Sequence, residues 1–411
     1  MLILGHPNAN TNVREAALAL LEQDLLGEFH TGIDTTRLAP RAPARLRPEL
    51  ERRAFDPRLS ARIATHAAPE VVRLLLERQH LVRYDAHGGR WSIQRRFEAI
   101  DAAVARRLRA TSEVSGVYMY EDGAATSFAA ARERGLARIY DLPIGYWRES
   151  RRILGEEAEL APAWASTMQG LVDPPEKLAR KDREIELASR VVVASSFTRR
   201  TLEASPYSAD LTVEVIPYGV PAPWTGERGP RRGPLKVLYV GGLSQRKGLS
   251  YLFEAMRIVG PAATLTVIGR PADRGNEALR TALGSAAWTE SMPNSAILEQ
   301  MRAHDVLVLP SLFEGFGLVL AEAISQGTPF IATDHTGGPE LVGTVGDDAA
   351  PGWIVPIRSA DAIAARLQAL IDDPDLRVAS SEAARARAAE LPWSVHRAAL
   401  GSFASAALAQ V

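Results

Sequence analysis

The chain has 411 residues, 46% of them apolar and 24% charged, with a formal net charge of −1 and no cysteine. That length calls for two domains of about 100–200 residues each. The composition excludes disulfides and thiolate metal sites and fits a reducing compartment, while the near-zero charge gives no whole-molecule field to recruit nucleic acid.

Met1-Leu-Ile-Leu4 enters a strand at once, with no basic segment before it, so no secretory signal is expected. No run approaches the roughly 18 apolar residues that a bilayer span needs. Leu2–Gly5 reads as a strand, His6–Asn12 as the loop after it, Val13–Leu26 as a helix capped by Asn12, and Glu28–Gly32 as a second strand. This opening βαβ unit puts His6 at the carboxyl end of a strand, where open α/β sheets bind ligands. His6 there either touches a ligand or caps the helix.

Residues 35–110 carry 17 Arg, no Lys and 8 acidic residues. Such a segment either pairs with acidic faces and solvent or forms a surface for anionic lipid or a phosphorylated molecule. Val71–Arg78 and Phe97–Leu108 are its best helix candidates, and Trp91 and Phe97 read as core. Gly116–Tyr120 is a strand, followed by Glu121-Asp122-Gly123 and a helix over Ala125–Arg134 that Asp122 could cap. Arg138–Tyr140 is the next strand, ending in a loop that starts at Asp141. A helix over Lys181–Ser189, a strand over Val191–Ala194, a helix start at Ser195–Thr198 and a strand over Glu214–Ile216 complete the first half. Residues 217–234 hold nine Pro or Gly in eighteen positions and read as a linker.

The second half begins with a strand at Lys236–Val240, the loop Gly241–Gly248 and a helix over Leu249–Ile258. The loop has no Lys-Ser/Thr closure, so it is not a P-loop. Ala263–Ile268 is a strand ending at Gly269 and Arg270, Pro293–Met301 a helix, and Ala303–Leu309 the strand that leads into Pro310-Ser311-Leu-Phe-Glu314-Gly-Phe-Gly317. A strand, a glycine-bearing turn and a helix N-terminus make an anion site from unpaired amides and the positive dipole end. Glu314 and Glu322 bracket it with seven residues between them. Strands at Pro329–Ala332 and Gly352–Val355 follow, with the loop Asp334–Glu340 between them. Helices over Asp361–Ile371, Ser380–Glu390 and Trp393–Leu408 close the chain, with Asp372 and Asp373 as a cap or turn.

The pair Glu314/Glu322, with Pro310-Ser311 before it and Gly337-Gly338-Pro339-Glu340 after it, resembles the E-x7-E signature of retaining glycosyltransferases of family 4. The resemblance is dense over about 236–357 and extends to the first half only as strand order. It implies an α/β fold of the GT-B type: two Rossmann-like doubly wound domains face each other across a cleft, and the C-terminal helix crosses back to the N-domain. The expected boundaries are 1–220 for the acceptor domain, 221–234 for the linker, 235–391 for the donor domain and 392–411 for the returning helix.

The resemblance further implies transfer of a sugar, with retained configuration, from a nucleoside-diphosphate sugar to a glycan, lipid-linked or other hydroxyl acceptor. No metal or cofactor is expected for the chemistry. Glu314, Arg246 and Lys247 are the expected catalytic set. The family's Arg usually follows the first glycine of the loop, where this chain has Gly242, so Arg246 stands in for it. Gly242, Gly269, Arg270, Pro293, Gly315, Phe316, Gly317, Leu318 and Glu322 are the expected donor contacts, with Glu322 on the ribose. His6, Tyr120, Glu121, Asp122 and Asp141 are the expected acceptor-side groups, in loops where the family often carries a His that is missing here. A UDP- or GDP-sugar is the expected donor, in a cytoplasmic monomer or homodimer that touches anionic membrane peripherally and binds no nucleic acid. Two other readings stay open: a non-catalytic nucleotide-sugar-binding subunit and a GT-B nucleotide-sugar 2-epimerase.

Overall fold

The computed structural model describes residues 1–67, 92–228, 233–343 and 349–410. The expected helix at Val71–Arg78 and the core position at Trp91 lie outside the described residues.

Short apolar runs form two sheets. One has β1 (Leu2–Gly5), β2 (Leu26–Thr31), β3 (Ile63–Thr65), β4 (Gly116–Tyr120), β5 (Ala137–Leu142), β6 (Arg190–Val193) and β7 (Val213–Val215), in the order β3-β2-β1-β4-β5-β6-β7. The other has β8 (Leu235–Val240), β9 (Ala263–Ile268), β10 (Ala287–Thr289), β11 (Val306–Leu309), β12 (Phe330–Thr333) and β13 (Gly352–Val355), in the order β10-β9-β8-β11-β12-β13. Neighbouring strands in both are parallel. Parallel strands are covered on both faces, which is why β1, β4, β11 and β12 are buried at every residue. The strand order reverses beside β1 and beside β8. The crevices at the carboxyl ends of β1/β4 and β8/β11 are therefore the topological switch points where such sheets take ligands.

Each sheet has its own core. Leu2, Leu4, Phe29 and Tyr118 lie on one face of the first sheet, and Ile3, Val117, Met119 and Phe128 on the other. Val237, Leu265, Val308 and Phe330 belong to the core of the second. A smaller cluster of Ile153, Leu154, Met168, Phe197, Leu312 and Phe313 joins the halves. The helix Trp393–Leu408 crosses back, packing Leu400, Ala404 and Ala407 into the first core. Its Arg397 pairs with Glu15 at 2.6 Å and Glu22 at 2.9 Å on the helix Thr11–Glu22. Two chain crossings run side by side between the halves: the Val220 amide donates to the Leu391 carbonyl at 2.7 Å, and Gly219 abuts Trp393.

Several elements differ from the sequence reading. The first helix starts at Thr11 with Asn10 at its cap position, so Asn12 is inside it, its amide 3.4 Å from the Tyr218 hydroxyl. Asp141 is inside β5 rather than in a loop. Asp122 has a φ of +73° and caps nothing; the helix Ala125–Glu133 is held instead by Asp101, which accepts from the Thr126 and Ser127 amides. The helix Pro374–Glu390 begins six residues early because Asp373 accepts from two amides of its first turn. Phe97 falls in the helix Ile93–Ala110, capped by Ser92.

Candidate active site

The site is built where β8 and β11 end side by side. After β8 the chain makes a single 3-10 turn, Gln245–Lys247, and passes through Gly248 into the helix Leu249–Val259. Gly248 has a φ of +70°, and a Cβ there would lie 2.0 Å from the Pro310 carbonyl oxygen, so no other residue fits this close approach of two strand-end loops. The Arg246 carbonyl accepts from the Leu312 amide at 2.9 Å, which ties the loop after β8 to the loop after β11.

This docking brings Arg246, Lys247 and Glu314 together. Arg246 Nη1 donates to the Phe313 carbonyl at 2.6 Å and lies 3.4 Å from Glu314 Oε2. Lys247 Nζ pairs with the same carboxylate oxygen. Burial lowers the Arg246 guanidinium. Burial and the neighbouring Arg246 charge push the Lys247 ammonium well below its ordinary value, and the Glu314 carboxylate against it opposes that shift. Beyond Gly317 the helix Leu318–Ser325 begins without a side-chain cap. Glu322 lies a turn along it, its carboxylate raised by burial and 3.3 Å from the Asn294 amide group. Pro293 is the cap residue of the helix that carries Asn294.

Other expected donor residues have different surroundings. Gly242 faces open space, with nothing within 4 Å of where a Cβ would stand. Gly269 lies under the Gly241 carbonyl, and its own oxygen accepts from Trp288 Nε1 at 3.0 Å. The Phe316 ring is core, edge-on to Tyr218 at 5.3 Å. Arg270 is 74% exposed and faces Glu290 at 3.9 Å. Neither of these two side chains joins the Arg246–Lys247–Glu314 group.

The first half closes over the motif loop. Ser195 Oγ donates to the Gly315 carbonyl at 2.5 Å and Thr198 Oγ1 at 3.2 Å, while the Ser196 amide donates to Glu340 at 2.7 Å. Gly315 lies so close to the Pro143 carbonyl that a Cβ would come within 1.8 Å of it. Phe313 stands edge-on to Phe197 at 5.4 Å.

At the carboxyl ends of β1, β4 and β5 the acceptor-side candidates are held by one another and by cations. His6 Nδ1 accepts from the Asn8 amide at 3.0 Å, and burial pushes its pKa down to about 4. It therefore staples its own loop as a neutral ring and caps no helix. Tyr120 stands edge-on to it at 4.8 Å. Asp141, pushed up to about 7 by burial, accepts from the Tyr118 hydroxyl at 2.7 Å. Glu121, raised by burial, pairs with Lys181 at 2.9 Å, and Asp122 with Arg180 at 3.3 Å. Behind them the fully buried Glu184, pushed up to about 8 by burial, accepts from the Asp122 and Ala124 amides and from the Tyr140 hydroxyl. Sequence reading missed this network, although Lys177, Lys181 and Glu184 recur at helical spacing on one face of Pro175–Leu187.

Residues 224–387 match the family model described as glycosyl transferases group 1. Individual proteins are similar to this chain over longer stretches. Glycogen synthase of Mycobacterium tuberculosis is 29% identical over 266 residues, 61% of this chain and 60% of that protein. D-inositol 3-phosphate glycosyltransferase of Pseudarthrobacter chlorophenolicus is 30% identical over 243 residues, 54% of this chain and 57% of that protein. The chain thus spans about 60% of the length of the glycogen synthases it matches. Among solved structures, sucrose-phosphate synthase from Thermosynechococcus elongatus superposes with a TM-score of 0.67 at 19% identity, over 100% of this chain and 99% of that one. Anabaena HepE in complex with UDP and glucose superposes with a TM-score of 0.60 at 14% identity, over 98% and 99%. The fold is therefore GT-B. No described helix is long and apolar enough to cross a membrane.

Proposed function

We propose that the protein transfers a sugar, with retention, from a nucleoside-diphosphate sugar to a hydroxyl acceptor. The observation that carries this reading is the convergence of Arg246, Lys247 and Glu314 at the switch point of the second sheet, beside the uncapped amides that open Leu318–Ser325. A diphosphate entering there takes Arg246 and Lys247 as its cations and releases Glu314 to the sugar. The bond between the anomeric carbon and the diphosphate oxygen breaks as positive charge grows on the ring and negative charge on the leaving group. The two cations and the helix amides stabilise the second charge, and Glu314 the first. The acceptor oxygen bonds to the same face, and its proton passes to the departing phosphate oxygen. Two fixed cations and a helix dipole supply electrostatic stabilisation that other transferases take from a metal ion.

Glu322, raised by burial and facing Asn294, suits the ribose hydroxyls. HepE was solved with UDP and glucose, which favours UDP in a matching place. A glycan or lipid-linked acceptor would enter from the first half, and the Arg-rich 35–110 segment would lie against anionic membrane.

The test is thermal unfolding with UDP-, GDP-, ADP- and TDP-sugars, for the wild type and Glu322→Ala. A ligand of the folded state adds about 2.7 kcal/mol of stability at a hundred times its dissociation constant. One donor that shifts the wild type and not the variant, followed by product with the donor's anomeric configuration, supports the reading. No shift with any donor, or an inverted product, rejects it.

A further inference from the structure

We infer that Glu157 is a positioning residue for the turn that carries Arg246 and Lys247. It lies on the helix Trp147–Leu160, which follows β5 in the first half of the chain, yet its carboxylate is fully buried against the second half. Oε1 accepts from Gln245 Nε2 at 2.6 Å. The Tyr251 hydroxyl lies 3.0 and 3.1 Å from the two oxygens, and Arg358 Nε donates to Oε2 at 2.8 Å. Three residues from three separate elements of the second half thus converge on one carboxylate of the first.

Gln245 is the residue before Arg246, and every polar atom of its side chain is engaged. Nε2 also donates to Ser250 Oγ at 2.6 Å, and Oε1 accepts from the Ser250 amide at 3.1 Å. Its backbone amide donates to Thr167 Oγ1 at 2.9 Å, a second contact from the first half. On the far side of the turn, the Arg246 carbonyl accepts from Leu312. The turn is therefore clamped from both sides, with its Gln245 side fixed by the first half.

Packing alone does not call for a charge here. Filling such a site with apolar side chains is as stable or more so, and a buried charge persists only where its hydrogen bonds are made. What the network adds is direction: a fully satisfied, low-dielectric cluster has one arrangement. Arg358 shows the same constraint. It has a φ of +62°, rare for a residue with a side chain, and its guanidinium meets Glu157, Glu156 at 3.1 Å and the Ile153 carbonyl at 2.8 Å. The inference rests on Arg246 and Lys247 being the diphosphate ligands, and goes beyond it by giving the first half control over where they point.

The test compares amide hydrogen exchange at 244–248, and calorimetric binding of UDP and GDP, in the wild type and two variants. Glu157→Ala removes the carboxylate; Gln245→Glu leaves it but sets a second carboxylate against it, which guards against a fold lost through Glu157→Ala. Each variant is expected to speed exchange in the turn about tenfold and weaken nucleotide binding about tenfold, with β8 exchange unchanged. The swap Glu157→Gln with Gln245→Glu restores an acid–amide contact in reverse and is expected to recover most of the protection. A merely structural carboxylate would give no such recovery. Unchanged exchange in the turn, a uniform rise across the chain, or no recovery in the swap overturns the inference. If the wild type binds no nucleotide while the turn responds as stated, the sugar-transfer reading fails and the positioning role stands.

Discussion

Lys247 and Glu314 stand in the loops that follow two adjacent strands, β8 and β11, and form a part-buried ion pair across the crevice between them. The pair is 67 residues apart in sequence, and no local element holds it together. Removing Glu314 leaves the Lys247 ammonium without this counter-charge, whereas removing Lys247 leaves Glu314 with the Arg246 guanidinium 3.4 Å away.

Lys247→Ala removes a charged hydrogen bond while Arg246 still faces Glu314; it is expected to cost about 1.5–3 kcal/mol of stability, and to abolish diphosphate-dependent transfer. Glu314→Gln keeps the shape and leaves the ammonium without its counter-charge. It is expected to retain nucleotide binding within a few-fold and lose turnover. Calorimetric titration with the nucleoside diphosphate beside a transfer assay separates the two. A Glu314→Gln variant with full turnover would remove Glu314 from the chemistry.

Asn294→Ala removes the one side chain among the described residues that donates to the Glu322 carboxylate, at 3.3 Å. A lost hydrogen bond to a carboxylate is worth about 1.5–3 kcal/mol. The expected outcome is a further upward shift of the Glu322 carboxyl and donor binding that strengthens as pH rises from 5 to 7. Binding measured across that range checks it, and a flat profile in the variant would separate Glu322 from the donor.

Asp141 gives a pH dependence of stability with a definite sign. Its carboxyl moves from 3.8 to about 7 on burial, so the folded chain holds a proton that the unfolded chain has released. Its contribution is full below pH 4, falls as pH rises through the folded value, and is lost above it. At about 1.4 kcal/mol per unit the loss is a few kcal/mol. Asp141→Asn still accepts from the Tyr118 hydroxyl and cannot ionise. Urea midpoints at pH 5 and pH 8 are expected to differ less in this variant than in the wild type; equal differences would remove Asp141 as a source.

Gly315→Ala places a methyl group 1.8 Å from the Pro143 carbonyl oxygen. Only backbone movement of one half against the other relieves that contact. The variant is expected to lose about 1–3 kcal/mol, the cost of overpacking, and to bind donor more weakly, because Ser195 and Thr198 lose their hold on the Gly315 carbonyl. A melting temperature within a degree of wild type would show that the halves accommodate the methyl freely.

The second sheet was legible because its strands announce themselves. Ala263–Ile268 alternates apolar residues with Thr264 and Thr266 before Gly269, Gly352–Val355 is an apolar run between Pro351 and Pro356, and both fold over the expected bounds, as does the helix Trp393–Leu408. Ala287–Thr289 was not legible: its three residues are exposed, and edge pairing with β9 alone makes it a strand. Asp141, expected at the start of a loop, lies inside β5, where the Tyr118 hydroxyl makes its burial tolerable. The motif pair Glu314/Glu322 and its cations could be read locally. Glu157 could not: its partners lie 88, 94 and 201 residues away.

The side-by-side crossings at Val220 and Leu391 make the connection between the halves a double-stranded spine. A single flexible strap would leave two bodies free to swing and twist. Two parallel straps, joined by a hydrogen bond and backed by Trp393 against Gly219, resist torsion and leave bending about one line. A crevice that opened would then be held to bending about that line.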